Sequence, residues 1–374
     1  MSDDLLLYAV GDIAPEREDP ISIFDNVKTT LKEADIVFGQ LETNLTKRGT
    51  PLPHVRHARR GSPKIAEALK DAGFTVVSFA SNHCLDLGQE AFFDTLDALK
   101  SNGLITIGAG KNIEEARKPA IIKCKGTKIA FLAYNTILPR GYWADIDRPG
   151  SNPLRAFTFY EQIEHDQPGT PCRIHTFPHK GDLDAMRDSI VKVKEEADIV
   201  IVSMHFGIHF VPAVIADYQR ELAHTAIDCG ADLILGHHAH ILKGIEVYAG
   251  KVIFYGLCNF AYELTATKEE IESPRRKEIA NLNPDWVPDP EYPHYFLPRD
   301  CRKTMIAKCT ISNKKIDKVS FLPVYINKKA EPEILDASDE RFWEVTNYIK
   351  QITADQNINT NYSISGNEVI IETS

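Results

Sequence analysis

Along the chain, short apolar runs rich in β-branched residues alternate with stretches whose apolar residues recur every three or four positions. The first pattern suits buried strands and the second amphipathic helices, so their alternation predicts a layered α/β fold. Strands are expected at Leu5–Val10, Ile36–Gln40, Thr75–Ala80, Lys128–Tyr134, Ile199–His205, Leu233–Leu235 and Lys251–Gly256. Helices are expected at Ile21–Glu33, Pro63–Ala72, Glu90–Ser101, Leu183–Glu196 and Ala216–Cys229. The pattern weakens over 139–182, which reads as an insertion or lid, and again over 273–302, a proline- and tyrosine-rich arm expected to wrap the core. Beyond it, Thr304–Ile311 and Lys318–Val324 suit a hairpin, followed by a helix at Asp339–Thr353 and a last strand at Glu368–Glu372. One domain over 1–330, with 331–374 as a helix and strand packed on it, accounts for this order; no internal repeat interrupts it.

Several polar residues come just after a strand's apolar run: Asp12, Glu42, Asn82 with His83, His205, and His237 to His240. In an open α/β sheet ligands bind at the carboxyl ends of strands, so these dispersed segments can converge on one face. In "ILGHHAHILKG" an extended backbone would point His238 and His240 to one side and His237 away, giving a metal-ligating pair. The bland alternative is a polar turn. His205 ends the buried run "IVIVSM", and His209 follows four residues later. In "FASNHCLDLG", Asn82 offers a carbonyl oxygen to a cation and His83 a general acid or a further ligand, with Asp86 placed to orient it. The less favoured alternative is an Asn that caps the next turn and a merely exposed His. Asp12 and Glu42 add the carboxylates that a divalent ion beside histidines requires.

Composition narrows the function classes. A net charge of -10 argues against nucleic acid or an anionic membrane as the main partner. Seven scattered cysteines without a CxxC pair suit reduced thiols, and the start "MSDDLLLYAVGD" has too short an apolar run for a signal peptide or membrane anchor, so a cytoplasmic protein is expected. Within this acidic chain, "HVRHARRGSP" concentrates Arg56, Arg59 and Arg60 with His54 and His57, a cluster suited to bidentate binding of a carboxylate or phosphate, or else a solvated loop. His165, His175 and His179 are unevenly spaced within the insertion and read as lid or surface residues.

The ordered series "GD", "LETNL", "SNHCLDLG", "GAG", "HFG" and "GADLILGHHAHILKGIEVYAGKVIFYGLCNF" resembles the CapA/PgsA poly-γ-glutamate synthesis family over about residues 5 to 265. The resemblance implies a metallophosphatase-like fold, a four-layer α-β-β-α sandwich with a two-metal-like site at its strand ends. Carried over position by position, it implies Asp12, Glu42, Asn82, His205, His238 and His240 as metal ligands and places His83 and Asn259 beside them. Three positions depart from metallophosphatases. Ala14 stands where the first motif has histidine, Glu42 where the bridging group is aspartate, and His209 where H-x-G-x-E ends in glutamate. These leave two ions, one (Mn, Zn, Fe or Mg) or none as alternatives. Three functions follow. The first is a metal-assisted hydrolase of an amide in poly-γ-glutamate or another acidic peptide, or of a phosphoester, with His83, His205, His209 and Asp86 catalytic and Arg56, Arg59, Arg60 and Asn259 binding substrate. The second is a metal-independent peptide epimerase using the same cluster. The third is a non-enzymatic accessory that binds the polymer.

Overall fold

The computed structural model describes residues 4–55, 58–274, 278 and 286–373. Two sheets dominate the described residues. The larger runs, in spatial order, Tyr362–Ser365, Glu368–Ile371, Lys315–Ile326, Lys303–Ser312, Leu5–Ala14, Ile36–Leu41, Val76–Ser78 and Ile105–Ile107. The smaller runs Ile245–Tyr248, Lys251–Phe254, Leu233–His237, Ile199–His205, Thr127–Asn135 and Ala120–Cys124. The strands from Leu5–Ala14 to Ile105–Ile107 are mutually parallel, as are Thr127–Asn135, Ile199–His205, Leu233–His237 and Lys251–Phe254. Each set therefore ends at one edge of its sheet.

Alternation along the strands builds the layers. Leu5, Leu7, Ala9 and Phe38 from the first sheet share an inner core with Phe131, Ile201, Leu233 and Phe254 from the second. Phe38 and Phe131 stack across the gap with ring centroids 6.0 Å apart. The opposite face of the larger sheet, Tyr8, Val10, Val37 and Val77, is covered by the helices Lys64–Asp71 and Gly88–Ser101 through Ile65, Leu69, Phe92 and Leu99. The outer face of the smaller sheet, Leu132, Val200, Val202 and Ile234, is covered by Lys180–Lys194 and Asp217–Asp228. The fold is thus an α-β-β-α sandwich. Strands buried on both faces read as continuous apolar runs, which is why they are so plain in the sequence. The helix Glu340–Ala354 sends Phe342, Val345, Ile349 and Ile352 into the inner core.

Two expectations need correction. Residues 21–33 do not form one helix but a 3-10 turn, Ser22–Phe24, and a short helix, Lys28–Leu31. The helical spacing of Ile23, Phe24, Val27 and Leu31 is kept and all four are buried, but the backbone leaves the helical region at Val27 (φ -127°). Asp25, Asn26 and the β-branched Val27, Thr29 and Thr30 all weaken a helix there. The stretch 139–182 is not irregular throughout. It carries an antiparallel ribbon, Ala156–Gln162 with Cys172–Pro178, on which His175 pairs with Glu161 at 2.7 Å; His179 caps the following helix. The strand Ala120–Cys124 had no expectation, because its alternating pattern is half exposed.

Candidate functional site

Parallel registry brings the polar strand ends together. In the larger sheet Asp12 lies opposite Gln40 on one side and Asn259 on the other, because Asn259–Tyr262 adds as a parallel strand beyond the end of Lys303–Ser312. Gly11 permits that approach: a Cβ there would lie 2.0 Å from the Cys258 carbonyl oxygen. Glu42 follows directly, its amide donating to the Ile13 carbonyl at 2.9 Å. In the smaller sheet His205 lies opposite His237 and Asn135. The chain then turns through left-handed backbone at His238 (φ 85°) and His240 (φ 56°). The extended alternation expected for this segment therefore fails, and His237 does not face away. Its Nδ1 lies 3.4 Å from Asp12 Oδ1, so all three imidazoles turn toward the carboxylates.

Two groups of ligand atoms result, each within 4.8 Å: Glu42 with His205 and His238, and Asp12 with Glu42 and His240. Glu42 belongs to both. His205 Nε2 is 3.0 Å from Glu42 Oε1 and 2.7 Å from Asn82 Oδ1. One ring nitrogen carries at most one proton, so it cannot satisfy both oxygens. His240 Nε2 is 3.6 Å from Glu42 Oε2, and its Nδ1 is 2.8 Å from Asn259 Oδ1. Asp12 Oδ2 accepts from the His238 amide at 3.1 Å, leaving Oδ1 without a hydrogen bond. Both Glu42 oxygens, His205 Nδ1 and His238 Nδ1 are buried in the same condition.

The electrostatics follow from burial. Glu42 is pushed well above the usual carboxylate range, first by desolvation and then by Asp12. Burial pulls His205, His238 and His240 below the usual imidazole value, and His209 down to about 3. Neutral imidazoles are the form that binds a cation. Two carboxylates and several orphaned acceptors in a water-excluded site cost free energy that a divalent ion would offset, so the donor set fits such an ion. Nitrogen and oxygen donors without thiolate suit Mn, Fe, Zn or Mg.

Around this centre, His83 Nδ1 meets Asp86 Oδ2 at 2.7 Å, and Tyr142 donates to Asp86 Oδ1 at 2.9 Å. Asp86 is thus placed as an orienter of His83, whose side chain remains about a quarter exposed. His209 packs its ring 4.0 Å from that of His238 and 5.5 Å from that of His240. Arg59 lies over the ring of Tyr262, at 5.0 Å, and donates to the Glu263 carbonyl at 2.7 Å; Tyr262 in turn lies 5.2 Å from the His240 ring. Arg60 is not brought to the site. It is spent on the carbonyls of Arg48 and Gly49, which close its own loop. Arg56 lies outside the described residues. Sequence reasoning missed His237, Tyr142, Tyr262 and Tyr295, whose hydroxyl accepts from Asn259 Nδ2 at 3.0 Å. Only His237 carried a signal, its place in the histidine cluster.

The model of the bacterial capsule synthesis protein PGA_cap matches residues 5–263 of this 374-residue chain. The chain belongs to the PGA_cap family. The PGA biosynthesis protein CapA of Bacillus subtilis is 32% identical over 274 residues, covering 70% of this chain and 64% of that protein. The capsule biosynthesis protein CapA of Bacillus anthracis is 29% identical over 252 residues, 66% of this chain and 56% of that protein. The chain thus matches less than two thirds of the length of either. The site residues named above, Tyr295 excepted, lie within the matched span. Among the described residues no helix is long and apolar enough to cross a membrane, and the cysteines are free.

Proposed function

We propose that this PGA_cap protein is a metal-dependent hydrolase that cleaves an amide of a γ-glutamyl chain or another acidic peptide. The observation that carries the proposal is the buried Glu42, shared by two ligand groups and lacking a hydrogen-bond donor for either oxygen. Asp12, Glu42, Asn82, His205, His238 and His240 would hold one or two divalent ions, with His237 next to Asp12. Such ions supply Lewis acidity and lower the pKa of water toward neutrality. The protein's own groups do the rest. Arg59, fixed against Tyr262, offers its remaining N–H groups to a substrate carboxylate. As the water oxygen bonds to the amide carbon and the C–N bond breaks, His83 gives its proton to the departing nitrogen and is reprotonated by the proton the water releases. Asp86 holds His83 by Nδ1 and so leaves Nε2 toward the substrate.

The test combines elemental analysis of purified protein with the shortening of poly-γ-glutamate, with a chromogenic phosphodiester as a second arm. Metal in the protein, loss of cleavage on chelation and recovery with Mn or Zn support the proposal. Full cleavage by metal-free protein would falsify it, turnover of the phosphodiester alone would move the substrate class, and polymer binding without turnover would make the protein an accessory. A second reading, metal-independent epimerisation at a peptide Cα, draws support from the neutral His209 ring against His238 and from Ala14 in place of a ligand. Its mark is deuterium incorporation from heavy water without cleavage.

A further inference from the structure

Beyond residue 263, where the family match ends, the arm returns one buried side chain to the site. Tyr295 is 1% exposed, and its hydroxyl lies 2.6 Å from the Cys301 carbonyl oxygen and 3.0 Å from Asn259 Nδ2. Asn259 Oδ1 lies 2.8 Å from His240 Nδ1. Hydrogen counting fixes the direction of this chain. A carbonyl only accepts, so the single phenolic proton goes to Cys301. The phenolic oxygen must then accept, which requires the NH₂ end of the Asn259 amide to face it. The amide oxygen is thereby turned to His240, whose Nδ1 must carry the proton. The reversed amide would send the phenolic proton to Asn259 and leave two oxygens 2.6 Å apart at Cys301 with no proton between them. Burial also keeps the phenol protonated, raising its pKa well above the ordinary value. Asp12 Oδ2, 3.6 Å from His240 Nδ1, favours a proton on the same nitrogen.

We infer that Tyr295 is a positioning residue that fixes His240, through the Asn259 amide, in the Nδ1–H tautomer and so directs an Nε2 lone pair at the Glu42 side of the site. The other tautomer would present an N–H to that side and a ring flip a C–H, neither of which a cation accepts as a ligand. The arm thereby sets the ligand state of a histidine 55 residues earlier in the chain. The consequence for metal affinity rests on the proposed function; the tautomer itself does not.

The experiment uses full-length, metal-free protein with ¹⁵N-labelled histidine, the His240 signals being assigned by their loss in His240→Gln. Two-bond nitrogen–proton correlation spectra should show His240 protonated at Nδ1 in the native chain. Tyr295→Phe, which keeps the ring and removes the hydroxyl, should mix the tautomers and weaken Mn²⁺ binding by about 10- to 100-fold. Adding Asn259→Asp in that background, a side chain with oxygen at both ends, should restore the Nδ1 proton. An Nε2 proton in the native protein, or an unchanged tautomer in folded Tyr295→Phe, would overturn the inference. The native spectrum decides even if the variant does not fold. Native protein that carries the Nδ1 proton but binds no Mn²⁺ would sink the metal proposal and leave the positioning role standing.

Discussion

At the scale of single residues, the site depends on a few atoms whose protons are committed elsewhere. His83 is the contrasting case, about a quarter exposed and held only by Asp86. Replacing it by alanine removes a proton donor and little packing. His83→Ala should therefore lower the cleavage rate by about 100-fold or more. Metal content and melting temperature should stay near native values, measured by elemental analysis and calorimetry. Lost metal would instead make His83 a ligand. The histidine cluster also shows the limit of reading residues one at a time. "GHHAH" gives the density of imidazoles, but their directions come from left-handed backbone at His238 and His240, an uncommon choice for residues with a Cβ. That backbone brings in His237, which an extended segment would have turned away.

At the scale of elements, the contact between the first strand and Asn259–Tyr262 sets the ligand carrier Asp12 beside Asn259, the partner of His240. A Cβ at Gly11 would collide with backbone, which cannot step aside as a side chain can. Gly11→Ala should lower stability by about 1–3 kcal/mol and weaken metal binding with it, read from urea midpoints and Mn²⁺ titration. An unchanged midpoint would mean that the two strands are not held this closely. On the other flank, Glu368 clamps the last strand to the hairpin. It lies 2.6 Å from Lys308 and from the Ser320 hydroxyl, and 2.8 Å from Lys318. Burial works to raise its pKa, but these donors prevail and hold it at about 2, against an ordinary value of 4.5. The unfolded chain binds the proton more readily, so this stabilisation is complete above about pH 4.5 and is lost as the pH falls through about 2. Glu368→Gln should lower stability at pH 7 by about 2 kcal/mol and flatten the acid limb of the stability curve; a parallel curve would refute the clamp.

At the scale of the whole molecule, a site shared by two sheets makes the sandwich's stability depend on what fills it. Asp12 and Glu42 come from one sheet and His205, His238 and His240 from the edge of the other, so an ion bound among them ties the layers together. At a hundred times its dissociation constant, an ion that binds only the folded chain adds about 2.7 kcal/mol. Mn²⁺ or Zn²⁺ should accordingly raise the melting temperature of metal-free protein, with the gain abolished in Asp12→Asn. No shift with any divalent ion would count against a metal site.

The sequence by itself determined the alternation of strands and helices, the layered class, and the residue types gathered at strand ends. These are local properties: a strand buried on both faces is apolar nearly throughout, and nitrogen and oxygen donors for a divalent ion come from a few residue types such as Asp, Glu, Asn and His. Local spacing misled where chain direction was at stake, at Val27, where the helix breaks, and at His237. Only the tertiary structure decided which strand ends face each other, that Arg59 lies by the site while Arg60 closes its own loop, and that Tyr295 reaches Asn259. Those outcomes depend on registry between strands far apart in the chain and on where each buried proton can go. Neither leaves a mark in the residues nearby.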